Sequence, residues 1–194
     1  MSERLLEVAR QITKQLSGRK PMTLPRLAFG IAVFAAIGLC NNVNAEEPND
    51  VLQRRVGTWI TETTIKKAEW TPEEQTFKGE ETTRWILDKS VQMHEGWSKP
   101  GDLKITGLLL YDKQEKVYRS WHFDNKGVFP RSESTGNYDD KTKTLHARSD
   151  LGNGNKLHVK LVFTNKDRID WTMVIRNNDG RLMKDVVGHL TRKK

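Results

Sequence analysis

Cysteine is almost missing from this chain: one residue, Cys40, among 194. With no second thiol there can be no intrachain disulfide, and with no cluster of them no thiolate metal site. Long apolar runs are missing too. The longest, Leu27 to Cys40, holds 14 residues, against the roughly 20 that a bilayer-spanning helix needs. There is no H-E-x-x-H helix, no H-x-H pair, no G-x-S-x-G elbow and no phosphate-binding glycine loop, which removes the commonest hydrolytic and nucleotide chemistries. No run of five basic residues follows residue 45, so nucleic acid is not an indicated partner. Beyond residue 56 no interval carries the 3.6-residue apolar period of an amphipathic helix.

What the N-terminus does contain is a targeting pattern. Arg19, Lys20 and Arg26 precede the apolar run, and Val43-Asn44-Ala45 follows it. A basic stretch, a short apolar core and a small-residue cleavage site read together as a secretory signal peptide over residues 1–45, cut after Ala45. Met22 is an alternative start, and an uncleaved anchor helix is the alternative reading of the segment. Leu39 is too large a neighbour for Cys40 to be a lipidation site. Cys40 leaves with the leader, so the exported product (periplasmic or secreted) is thiol-free and must be held by its core alone. Residues 46–194 are then one domain with 27 Lys/Arg and 23 Asp/Glu, a net charge of +4 where the whole chain has +8. After cleavage no stable membrane span remains.

From Gly57 onward the apolar period is two. Leu157, Val159, Leu161 and Phe163 form one alternating series; Ile169, Trp171, Met173 and Ile175 form another; Val117, Arg119, Trp121 and Phe123 form a third. Such alternation marks strands with one face in a core. Turn-forming clusters such as Asp124-Asn125-Lys126-Gly127, Gly152-Asn153-Gly154-Asn155 and Asn177-Asn178-Asp179-Gly180 separate them. The spacing predicts ten strands, near 57–66, 77–87, 91–98, 104–111, 117–123, 130–137, 144–149, 156–164, 168–176 and 181–192. A short helix is expected over 49–55, capped by Asn49 or Asp50. The fold class is therefore all-β: a ten-stranded antiparallel meander, which removes its exposed edges by closing into a barrel. A two-sheet sandwich is the alternative.

Gly57-Thr58-Trp59 at the start of the first strand and Arg192 near the end of the last resemble the glycine–x–tryptophan signature of calycins, the lipocalins and fatty-acid-binding proteins. The resemblance implies that the Trp59 ring packs at the closed end of the barrel beneath the Arg192 guanidinium, a cation–π contact. The segments Gly107 to Asp112, Lys116-Val117-Tyr118 with Trp121, Gly136 to Asp139, Lys143-Thr144-Leu145 and Thr191-Arg192-Lys193 are similar to the bacterial family called domain of unknown function 1579. That resemblance covers most of residues 52–193 and implies an exported lipocalin-like barrel of no assigned activity.

Within such a barrel the candidate site is a polar anchor among aromatics. If Met93 and Trp97 point inward, Glu95 shares their face, and Arg119, in series with Trp121, is its inward partner; Arg131 with Glu133 extends the network. A buried carboxylate must be paired or protonated, and a pocket needs few polar groups to orient a ligand. Glu95, Trp97, Arg119, Trp121 and Trp171 are thus the candidate ligand-binding residues, for a small, mainly apolar molecule. The competing reading is a structural or interaction protein of the cell envelope with a fully packed core. A catalytic reading would join Glu95 to His94 or His122 as acid and base. Strand neighbours such as His94 and Glu95, however, point to opposite faces, and no catalytic residue is assigned. A haem reading would rest on the G-x-W start, which some haem-binding barrels share, with His189 as axial ligand. No cofactor and no metal site is assigned.

Overall fold

The computed structural model describes residues 46–126 and 132–194. The leader reading over 1–45 and the Arg131 partner lie outside the described residues. Helix α1 (Pro48–Gln53) is followed by ten strands: β1 (Gly57–Lys66), β2 (Gln75–Ile86), β3 (Val91–Lys99), β4 (Leu103–Asp112), β5 (Val117–Asp124), β6 (Ser134–Asp139), β7 (Thr144–Asp150), β8 (Lys156–Asn165), β9 (Arg168–Arg176) and β10 (Leu182–Arg192). Every strand pairs antiparallel with the next, and β1 pairs with β10 to close the barrel. It is a lipocalin-like meander, with no sandwich.

Strand identity follows from the alternation; strand ends follow from residues that take left-handed backbone. Leu87, Asp88 and Lys89 hold φ of 50°, 53° and 62° between β2 and β3, and Lys116, Lys143 and Asn153 do the same in later hairpins. The predicted sixth strand, near 130–137, is displaced to Ser134–Asp139 and pairs with β5 over only three residues.

One face of the sheet supplies the core. Trp59, Leu109, Tyr118, Leu145, Phe163, Ile169 and Leu190 pack as one buried cluster with Val51 and Leu52 of α1. Completely burying side chains of this size contributes roughly 1.5–3 kcal/mol each, and here it must serve without a disulfide. Helix α1 closes one end of the barrel as a plug. It begins one position before the expected caps: Glu47 holds the cap position without a side-chain bond, and Pro48 follows, where its missing N–H is no loss.

The carbonyls at the helix's C-terminal end lack intrahelical partners, and barrel side chains supply them. Gln92 Nε2 donates to Leu52 O at 2.6 Å, Trp59 Nε1 to Arg55 O at 2.8 Å, and Arg192 to Arg54 O and Val56 O at 3.1 and 2.8 Å. Arg192 also lies over the Trp59 ring, its guanidinium carbon 4.1 Å from the centroid. Gly57 makes this latch possible. Its φ of +131° suits only glycine, and a Cβ there would stand 2.4 Å from Arg192 Nη1.

Candidate functional site in the barrel interior

Register assigns each strand an inward and an outward face, because residues paired across a ladder share a face. Trp59 is inward; its partners carry the inward phase to Glu81, Thr83 and Trp85 of β2, and on to Gln92, His94, Gly96 and Ser98 of β3. The same chain of pairs gives Gly107 and Leu109 of β4, then Tyr118, Ser120, His122 and Asp124 of β5. On the opposite wall it gives Val159 and Leu161 of β8, Trp171 and Met173 of β9, and Lys184, Val186 and Gly188 of β10.

This phase reverses the expectation for two strands. Glu95 and Trp97 are outward on β3: Glu95 is exposed and ion-paired to Arg84 at 3.0 Å, and Trp97 is 48% exposed with Lys99 5.9 Å from its ring. Arg119 and Trp121 are outward on β5. Arg119 is held by Asp112 at 2.9 Å, Glu115 at 2.7 Å and Glu133, a network on the outside of the barrel that does not include Glu95. The physical reason is that Val91, Gln92, Met93 and His94 are all buried, so hydrophobic alternation carries no phase in that half of β3. Trp171 does face inward, its indole lying against Gly188, where a Cβ would stand 2.6 Å from its Nε1.

His189 is also outward, opposite Glu62 and Asp170, because Gly188 and Leu190 take the inward phase of β10. It lines an outer recess of about 350 Å³ and cannot serve as an axial ligand inside the barrel. Among the described residues no group of three or more His, Cys, Asp or Glu is arranged to hold a metal ion.

Just above the α1 plug the interior has a polar floor that the sequence reasoning missed. His94 and His122 pair with Gly107 from its two sides, and their rings lie 5.1 Å apart. A Cβ at Gly107 would come within 2.0 Å of His94 Cε1, so the missing side chain is what lets the imidazole lie across β4. Arg55, from the turn after α1, reaches Glu81 Oε1 at 3.0 Å, and Thr83 Oγ1 donates to the same oxygen at 3.3 Å.

Burial holds the His94 imidazole well below its ordinary pKa, and the Arg55 charge lowers it further. His122 is pushed down to about 3, chiefly by burial, then by His94 and Arg55, with Glu81 opposing. Both rings are therefore neutral at physiological pH. Two buried atoms of this floor have no hydrogen-bond partner among the described residues, His94 Nδ1 and Gln92 Oε1. Gln92 Nε2 donates to Leu52 O, which fixes the amide so that the unpartnered atom is the oxygen, an acceptor.

Above the floor the wall is apolar and half-open. Phe77, Ile105, Val159, Leu161, Trp171 and Met173 are inward yet only half-buried, whereas their counterparts near α1 are buried. Near the far end Lys184, whose pKa is lowered by burial, is drawn back up by Asp124 on the opposite wall. From the plug outward the inward-facing residues are thus polar at the floor, apolar along the wall and charged toward the far end. The signal that could have located the floor is the register of Gly107 with two histidines across two short hairpins.

The family model described as protein of unknown function (DUF1579) matches residues 44–192. The chain belongs to that family. No curated protein matches it. Among solved structures, this DUF1579 protein is similar to Rv2717c from M. tuberculosis, with a TM-score of 0.57 at 12% identity over 76% of this chain and 99% of the other. It is also similar to the S-type phycobiliprotein lyase CPES from Guillardia theta, with a TM-score of 0.55 at 13% identity over 75% of this chain and 92% of the other. At such identities what the DUF1579 chain shares with both is the barrel fold.

Proposed function

We propose that this protein is an exported, non-catalytic binding barrel whose interior forms a cup that takes a small, mainly apolar molecule. The observation that carries the reading is the unsatisfied floor beneath an apolar, half-open wall. Buried polar atoms are ordinarily bonded, and Gln92 Oε1 and His94 Nδ1 have no partner among the described residues. A hydroxyl or amide donor on the ligand would satisfy Gln92 Oε1, and His94 Nδ1 in the tautomer protonated at Nε2, while its apolar body lies against Trp171, Met173, Val159 and Leu161. A neutral floor of two uncharged imidazoles favours such a neutral polar end over a cation. Because Arg55 is already paired with Glu81, no free charge at the floor selects a carboxylate.

Native mass spectrometry of protein purified from its own host tests this directly, with titration of an apolar fluorescent probe as the second arm. A retained adduct, or saturable probe uptake that inward Met173→Lys abolishes and outward Trp97→Ala leaves intact, supports the cup. A barrel that retains nothing and takes up no probe would leave the packed envelope protein as the better reading.

A further inference from the structure

A second feature lies on the outside of the same barrel. Across the outer face of β7, β8 and β9 three successive ladder positions of β8 set basic or imidazole groups opposite one another. His146 pairs with Lys160 and Arg148 with His158 across β7–β8, and Lys156, which has Asp150 opposite it on β7, has Arg176 opposite it on β9. Like charges in that position destabilise a sheet, and sequences break such local rules mainly where a site requires it. Among the described residues Arg148, Lys156, Lys160 and Arg176 have no carboxylate partner; Arg176 donates only to Gly180 O, at 2.8 Å. The one acid beside them, Asp150, accepts from Gly152 N–H at 2.9 Å. The four cations, His158 and Asp150 border a concave groove of about 820 Å³, with Asn177 and Asn178 along its edge; four cations against one acid leave the groove net positive.

The local field is visible in His158, whose pKa is lowered by burial and then by Arg148, Lys160 and His146. His146 Nδ1 and His158 Nε2 are 3.3 Å apart in stacked rings, a geometry in which a second proton is repelled unless an anion sits beside it.

We propose that this groove is a binding site for a soluble, extended polyanion carrying phosphate groups. The three pairs follow one another at about 6.5–7 Å, so the row of charge runs over about 13 Å, longer than a single phosphate. Two guanidiniums suit the oxygens of tetrahedral phosphate, which they can hold bidentately. Concavity favours a chain over a flat bilayer surface, and the groove has no Trp, Tyr or Phe on which nucleic-acid bases would stack. The site is independent of the cup, and neither reading depends on the other.

The test is calorimetric titration of the exported domain with linear inorganic polyphosphate, with orthophosphate and anionic phospholipid vesicles as comparators. Polyphosphate should bind saturably and orthophosphate far more weakly. Arg148→Gln with Lys160→Gln should weaken binding at least tenfold, while Lys113→Gln, outside the groove, changes nothing. The doubly substituted protein should melt no lower than the parent, since it relieves repulsion, which separates lost binding from lost folding. Binding should also tighten from pH 8 to pH 6 as the anion favours protonated His158 beside Arg148, Lys160, His146, Lys156 and Arg176, with Asp150 the one acid of the groove and charged throughout that range. His158→Gln should flatten that dependence. Absence of binding, equal weakening by Lys113→Gln, or binding to vesicles but not to polyphosphate would each overturn the proposal.

Discussion

Acidification should unfold this protein from the inside, and the floor histidines set by how much. An imidazole has a pKa near 6.5 in an unfolded chain, whereas His122 in the barrel is held at about 3. As pH falls below 6.5 the unfolded state takes up a proton that the folded state refuses, so stability drops with pH until the folded pKa is reached. Between pH 6.5 and pH 4.5 His122 alone removes on the order of 2 kcal/mol, from 2.303RT per pH unit. His94 acts in the same direction. Against a total of roughly 5–15 kcal/mol for a domain of this kind, the loss is large. Carboxylates held low by hydrogen bonds, Asp112 and Asp170, lose their contribution only near and below pH 4, so the window above 4.5 isolates the histidines. His158, half-buried on the outer face and also held low, acts in the same direction. The assay is urea unfolding followed by tryptophan fluorescence at pH 7.5, 6.5, 5.5 and 4.5, with His122→Asn beside the parent and an NMR titration of the imidazole protons. The parent curve should fall steeply below pH 6.5 and the His122→Asn curve less so. A parent equally stable at pH 7 and pH 4.5, or a His122 signal titrating near 6.5, would refute the neutral buried floor.

Two further outcomes follow from the latch and the floor. Arg192→Met, which keeps bulk but loses the ring contact and both charged bonds to the plug, should cost about 3–4 kcal/mol in thermal or urea unfolding; a loss under about 1 kcal/mol would mean the latch is ornamental. Gly107→Ala should cost about 2–3 kcal/mol by forcing the His94 ring aside; in a double-mutant cycle with His94→Ala the two losses should be clearly less than additive, and strict additivity would separate them.

The fold was largely legible because strand existence depends on a local signal. Eight-to-twelve-residue alternation and turn residues place nine of the ten strands within two residues of their observed bounds. The G-x-W start and the terminal arginine gave the direction of closure. The candidate site was less legible because facing depends on phase, and phase is lost where both faces are apolar. Leu108, Leu109 and Leu110 are all buried, as are Val91 to His94, so neither strand says which residues look inward. Met93 and Trp121 have the chemistry of core residues but lie on the outer face, whereas Gln92, His94, Ser120 and His122 line the interior. Only pairing through successive hairpins, carried from Trp59 to Gly107, resolves them.

The seam between β1 and β10 has a consequence for synthesis. Arg192 touches backbone 136 positions away in sequence, at Val56, and Lys193 N–H closes onto Thr58 O at 2.9 Å. The element that fastens the first strand is therefore made after the other nine. A nascent chain that still lacks β10 has nine strands with two open edges and an unanchored plug, so it cannot reach the native state in instalments. Whatever holds that unfinished chain must do so until β10 is available.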